Sequence, residues 1–362
     1  MAFPKNGVVE APQIVPSAFG LLAVVDAIND PNEDHWVRGF SQEWETDLYA
    51  LYNVDDTNSN ETQIAGAGNV NYYDEIKPFF IEVQEDRSTL GFLGIDRVAR
   101  IKRQLEATTQ RAVEQELWDG AIRLSTGHSN RALVSSNVHV VYGEGVSAKR
   151  ALAVLEQGIA EASHAGEQGI IHATRDVVAV LSSNSQMLFH NKIKDHLQTM
   201  GGTPVVTGSG YSGNGPKWDI ATASVNGNKL ILVTTGGRHY FQNGDRISLS
   251  ITSDTLGTVT LNNVEVTTDS GIQFRVDYTH ANVTAENATG YAQQLGTIED
   301  KWIYATGTVR VYLGDVDVVN DNLSQAYDVS GNANDMRLKA IRPAAVYFDT
   351  SIHLAVRVDL TA

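Results

Sequence analysis

Gly208, Gly210 and Gly213, in VVTGSGYSGNGP, have the GxGxxG spacing that lets a backbone approach a pyrophosphate. The apolar run Pro204-Val205-Val206 before them is what a dinucleotide fold places ahead of that turn. The downstream residues do not suit it. Asn214-Gly215-Pro216 is a poor start for a phosphate-receiving helix, and no strand–helix–strand unit surrounds the segment. The glycines read as a flexible loop, and no cofactor is expected.

The other chemistry-bearing side chains are similarly isolated. His172 lies between a short apolar strand and a helix cap. It reads as a hydrogen-bonded buried histidine or as a general base, but nothing nearby in sequence supplies a nucleophile with an orienting acid. His190 and His196 stand six residues apart, and His35, His239 and His280 stand alone, so none matches a zinc spacing. Asp315 and Asp317 alternate on a strand with Asp321 beyond, which suits a weak cation site or a solvated face. With no cysteine there is no thiolate chemistry and no disulfide. No catalytic or metal residue is assigned.

The elements around these residues are more informative. From Phe80 to Gly120 a strand and turn lead into a long helix over about 96–118. Its apolar residues Val98, Ile101, Leu105, Ala112, Val113 and Leu117 recur near a 3.6-residue period. Thr108 and Thr109 interrupt that stripe, and Arg100, Lys102, Arg103, Glu106 and Glu114 occupy much of the remaining surface. Trp118 reads as a packing anchor. A second helix starts after Ser147 and carries Ala148, Leu152, Leu155, Ile159 and Ala162. Further helices are expected at 175–182 and 185–198, the latter stopping at Gly201-Gly202.

Upstream, Pro4, Pro12 and Pro16 punctuate an extended arm over 1–35. Strands at 48–54 and 79–83 flank a polar tip, 55–68, which suggests a long projecting hairpin. Between 218 and 298 the chain is rich in Val, Thr, Asn and Gly and breaks into short alternating runs. Asn226-Gly227, Gly236-Gly237 and Asn243-Gly244-Asp245 supply the turns. This is the pattern of a small all-β domain, inserted because α/β-type sequence resumes at Trp302. Further strands are expected at 303–307, 309–313, 344–348 and 353–358.

At 362 residues, with 42% hydrophobic and 19% charged side chains, the chain can bury more than one core. Its 27 basic and 43 acidic residues give a formal charge of −16, which argues against sequence-specific DNA binding. No apolar run approaches a membrane span, and the first residues make a poor signal peptide.

Several strings together resemble the major capsid proteins of tailed actinobacterial phages, with the HK97-type shell fold. They are Asp86-Arg87-Ser88-Thr89-Leu90-Gly91, Leu105-Glu106-Ala107-Thr108, Glu114-Gln115-Glu116-Leu117-Trp118-Asp119-Gly120, and 151–159. Further on come Gly169-Ile170-Ile171-His172-Ala173-Thr174, 202–211, and Trp302-Ile303-Tyr304-Ala305-Thr306-Gly307. The likeness covers roughly 75–217 and 299–358.

The resemblance implies an α+β capsid fold divided into five parts: an N-terminal arm (1–35); an extended loop with flanking strands (36–90); a peripheral domain (91–135 plus 341–362); an axial domain (136–217 plus 299–340); and the inserted β-rich domain (218–298). It further implies hexamers and pentamers closing into an icosahedral shell around double-stranded DNA, assembled in a host cytoplasm. Portal and scaffolding proteins, non-specifically held DNA and a decoration protein are the implied partners, without a membrane. An encapsulin-like cargo compartment is the alternative on the same fold. Leu105, Leu117 and Trp118 would seat the long helix against the peripheral sheet, and Gly208 and Gly210 would shape an axial loop. Some such shells are stapled by lysine–asparagine bonds. Here Lys77 sits at the hairpin base, the tip has no lysine, and nothing pairs Asn322 with Lys77, so a noncovalent shell is expected.

Overall fold

The computed structural model describes residues 18–42, 74–88, 97–120, 130–162, 169–183, 188–191, 196–235, 237–322 and 335–361. The expected strand at 48–54 and the tip at 55–68 lie outside these residues, as does the side chain of Asn322.

Helix Arg97–Asp119 packs on a five-stranded sheet built around the strand Asp335–Phe348. One edge of that strand pairs antiparallel with Phe79–Ser88. Its other edge takes Asp317–Asn322 and then Val309–Leu313, and Ala27–Asn29 adds in parallel outside the latter. Ile101, Leu105, Val113 and Leu117 are fully buried in one cluster with Phe79, Ile81, Ala340 and Ala344. The threonine interruption is closed by chemistry: the buried Thr109 hydroxyl donates to the Leu105 carbonyl at 2.7 Å, so this turn can enter the core. Val98 does not belong to the stripe; it is 45% exposed in the helix's first turn.

Two expectations shift here. The division placed between 340 and 341 cuts the single strand Asp335–Phe348, because both of its halves pair within one sheet. Residues 18–35 are also packed more closely than an extended arm. Leu21 is fully buried in the main core, and Ala27–Asn29 gains the ladder of Val309–Leu313.

A seven-stranded mixed sheet runs in the order His139–Ser147, His353–Asp359, Asp300–Thr306, Ile170–Ala173, Pro204–Thr207, His196–Thr199, Leu188–Asn191. Alternation along Asp300–Thr306 sorts its two faces. Ile303 and Ala305 join the core under helices Ala148–Ala162 and Arg175–Ser183, while Trp302 and Tyr304 face the core of the long helix. The helix expected at 185–198 is not what forms in its described part. Leu188–Asn191 and His196–Thr199 are antiparallel strands that extend the sheet from Pro204–Thr207. Ladder pairing with an otherwise open strand outweighs the local helix propensity.

Six strands between Lys217 and Gln294 form a closed, wholly antiparallel barrel. Strands Lys217–Asn226 and Lys229–Thr234 are joined by Gly227 and Asn228 at φ 59° and 62°, a two-residue turn that matches strand twist. The barrel has its own core, including Ile220, Leu230, Leu232, Ile247, Leu249 and Phe274.

Candidate functional site at the end of the long helix

The C-terminal end of helix Arg97–Asp119 is where the glycine loop, both large sheets and the root of the barrel meet. Gly120 ends the helix with φ 61°, its N–H donating to the Glu116 carbonyl at 2.9 Å. The Leu117 and Trp118 carbonyls, which have no partner inside the helix, accept from the Leu133 and Val134 N–H groups at 2.9 and 3.2 Å.

Trp118 is fully buried in the core cluster that also holds residues of the five-stranded sheet, and its aromatic partners lie elsewhere. Its ring lies 4.6 Å from Tyr211 of the glycine loop and 5.0 Å, edge on, from Tyr304 of the seven-stranded sheet. It therefore anchors the helix to the second sheet. Leu105 and Leu117 pack within the core shared with the five-stranded sheet. The Tyr304 hydroxyl donates to the Asn214 carbonyl at 3.0 Å, fixing the far side of the loop.

The loop geometry explains its glycines and opposes nucleotide binding. A Cβ on Gly208 would sit 2.6 Å from the Tyr211 ring, and one on Gly210 would sit 2.5 Å from the Arg111 carbonyl oxygen. The loop is pressed onto the helix backbone at Gly210. It continues into barrel strand Lys217–Asn226, where a dinucleotide fold requires a helix.

Glu114 organises the contact. Expected on the polar surface, it is fully buried. Its Oε1 accepts from the Leu21 N–H and the Gln110 Nε2, both at 3.0 Å. Its Oε2 accepts from the Gly210 N–H at 2.9 Å and the Ser209 hydroxyl at 3.1 Å. The available signal was its position four residues before Trp118 and three before Leu117, on their helix face.

His172 is fully buried beneath the same loop. Its Nδ1 lies 2.8 Å from the Tyr211 hydroxyl and its Nε2 lies 2.9 Å from Thr306 Oγ1. The Thr306 hydroxyl donates to the Gly307 carbonyl, so it accepts from Nε2–H and leaves Nδ1 to accept from Tyr211. Burial, then the neighbouring His353, pushes the His172 pKa down to about 3. Burial, followed by the Glu114 charge, raises the Tyr211 pKa well above its usual value. A neutral imidazole with both nitrogens engaged acts as a lock and has no free lone pair for base catalysis.

On the barrel side, Lys217 Nζ donates to the Asp119 carbonyl at 2.7 Å and the Ser212 hydroxyl donates to Asp119 Oδ1 at 3.1 Å. Burial raises the Asp119 pKa against the opposing effects of that hydroxyl bond and the Lys217 charge. A pocket of about 350 Å³ lies where the barrel meets Glu144. Arg238 there lies 3.6 Å from Glu144 and covers the Tyr240 ring, which also packs against the Gly143 backbone. Phe241, which lines this pocket, and Phe274 are buried residues of the barrel core. Asp315 and Asp317 are exposed, and no cluster suited to a metal ion occurs among the described residues. Lys77 is held through its backbone: its N–H donates to Asn130 Oδ1 at 2.8 Å, and Asn130 Nδ2 donates to its carbonyl at 2.7 Å.

No protein-family model matches the chain, and no curated protein matches it. Its structure is similar to that of the capsid of a native GTA particle, at 8% identity and a TM-score of 0.47, covering 99% of this chain and 96% of the other. A structure from Mycobacterium phage Adephagia is similar at 9% identity and 0.44, covering 98% and 94%. The holo-SrpI encapsulin complex from Synechococcus elongatus PCC 7942 is similar at 9% identity and 0.42, covering 100% and 94%.

Proposed function

We propose that this chain is a major capsid protein, a structural subunit that assembles as hexamers and pentamers into an icosahedral shell around double-stranded DNA. One observation carries the reading: the separated strings that resemble capsid proteins meet at one junction. Trp118 from the helix end, His172 from Gly169–Thr174, Tyr211 from 202–211, and Tyr304 and Thr306 from Trp302–Gly307 pack or hydrogen-bond together. Such a junction would hold both sheets rigidly on one helix, as a load-sharing shell subunit requires.

In this reading the five-stranded sheet and its helix are the peripheral domain. The seven-stranded sheet is the axial domain, and the barrel is an added domain on the outer face. Closure would come from many modest, repeated contacts between copies. Portal, scaffolding and decoration proteins are the further partners this reading expects, and the virion is its location. Sedimentation of the purified chain, with assay of nuclease-protected nucleic acid, tests it. Fast-sedimenting particles containing DNA support the proposal, packaged protein cargo marks an encapsulin-like compartment, and a monomer with nucleotide affinity contradicts both.

A further inference from the structure

Two segments distant in sequence converge on the Glu114 carboxylate. Its Oε1 takes the Leu21 N–H, and its Oε2 takes the Gly210 N–H and the Ser209 hydroxyl. Both backbones come close because they carry glycine. A Cβ on Gly20 would sit 1.5 Å from Gln110 Nε2, and one on Gly210 would sit 2.5 Å from the Arg111 carbonyl oxygen. Phe19 adds a strained element: it holds φ 61°, a left-handed conformation unusual for a bulky residue. Its carbonyl accepts from the Thr207 N–H at 2.9 Å and the Thr207 hydroxyl at 3.2 Å, one residue before the glycine loop.

We infer that Glu114 couples the N-terminal segment to the glycine loop, so that displacing either one loosens the other. The chemistry favours a carboxylate here. Four donors converge on two oxygens, and only an ionised acid offers acceptors on both sides without presenting a donor. A glutamine would turn an NH2 group towards the Leu21 side or the Gly210 side. The coupled loop leads directly into Lys217, the first residue of the barrel, and is fixed beneath by Tyr211 and His172. A pull on the chain at Ala18 is therefore transmitted to the barrel root. The inference holds whether or not the chain builds a shell, and Glu114 acts as a positioning residue.

Residue-resolved hydrogen exchange on the full chain tests it, because Leu21 and Gly210 each donate their amide hydrogen to this one carboxylate. Glu114→Gln is expected to speed exchange at one or both amides by about tenfold or more. The decisive pair is reciprocal. The atoms nearest a Cβ on Gly20 are the buried side-chain ends of Gln110 and Glu114, so Gly20→Ala presses on the carboxylate itself and is expected to speed exchange at Gly210. Gly210→Ala is expected to speed exchange at Leu21. Effects confined to each variant's own segment would overturn the coupling. Should Gly210→Ala fail to fold, Gly20→Ala alone still decides, since unchanged exchange at Gly210 is the contrary result.

Discussion

Arg357 grips Asp245 with two hydrogen bonds, at 2.8 and 3.1 Å, across the joint between the barrel and the seven-stranded sheet. A third bond, at 2.9 Å, runs to Asp300 on the neighbouring strand. The guanidinium side chain is 4% exposed and the Asp245 side chain 8%. The barrel is therefore docked through a buried charge as well as joined through its two chain connections.

That joint gives the first prediction. Asp245→Asn leaves Arg357 buried with a single carboxylate and should destabilise the subunit by about 3 kcal/mol, as breaking a buried pair does. Adding Arg357→Met should recover part of the loss. Denaturant midpoints of the two variants check this, and a neutral single variant would mean that the joint is wet and loose.

The two buried histidines set an acid limb. Burial pushes His353 down to about 4 and His172 to about 3, against about 6.5 in the unfolded chain. The folded state thus refuses protons that the unfolded state accepts. Their contribution is complete above pH 6.5 and is lost as pH falls from there towards the folded values. At pH 5 each histidine should cost about 2 kcal/mol relative to pH 7.5. His172→Gln should flatten that fall in urea midpoints measured between these pH values. An unchanged slope would contradict neutral burial.

Along the long helix, Leu105→Ala should cost about 2–5 kcal/mol through lost burial and an unfilled cavity. Val98→Ser, at the exposed first turn, should stay within about 0.5 kcal/mol in the dissociated subunit. Thermal melts of both separate the buried stripe from its exposed start. Equal losses would place Val98 in the core.

How much of the fold is readable depends on how local its cause is. Helices Arg97–Asp119 and Ala148–Ala162 are legible because a 3.6-residue stripe is written in consecutive residues. The β character of 218–298 is legible from its alternation and turns. Barrel closure is not, since strand Lys217–Asn226 pairs with Val283–Gln294 far along the chain. Strands 188–191 and 196–199 read as helix because the strand that decides their conformation, Pro204–Thr207, lies beyond them. Glu114 is hidden for a related reason. A glutamate among Arg111, Gln115 and Glu116 looks solvated until Leu21 and Gly210 bring their donors.

The barrel's own core predicts that it can stand alone. A fragment covering 217–298 should give strand-rich circular dichroism and a cooperative melt, because Leu230, Leu232, Ile247, Leu249 and Phe274 are buried within it. Absence of a melting transition would show that the barrel depends on the Arg357 joint for its fold.

Whether the chain is a shell subunit is tested most directly by electron microscopy of the purified full chain. Closed particles of uniform diameter with icosahedral symmetry are expected, the barrel projecting from their outer face. Density for the barrel in the inner wall would contradict its outward placement. Discrete monomers or small oligomers, under conditions where the chain is folded, would contradict the shell itself.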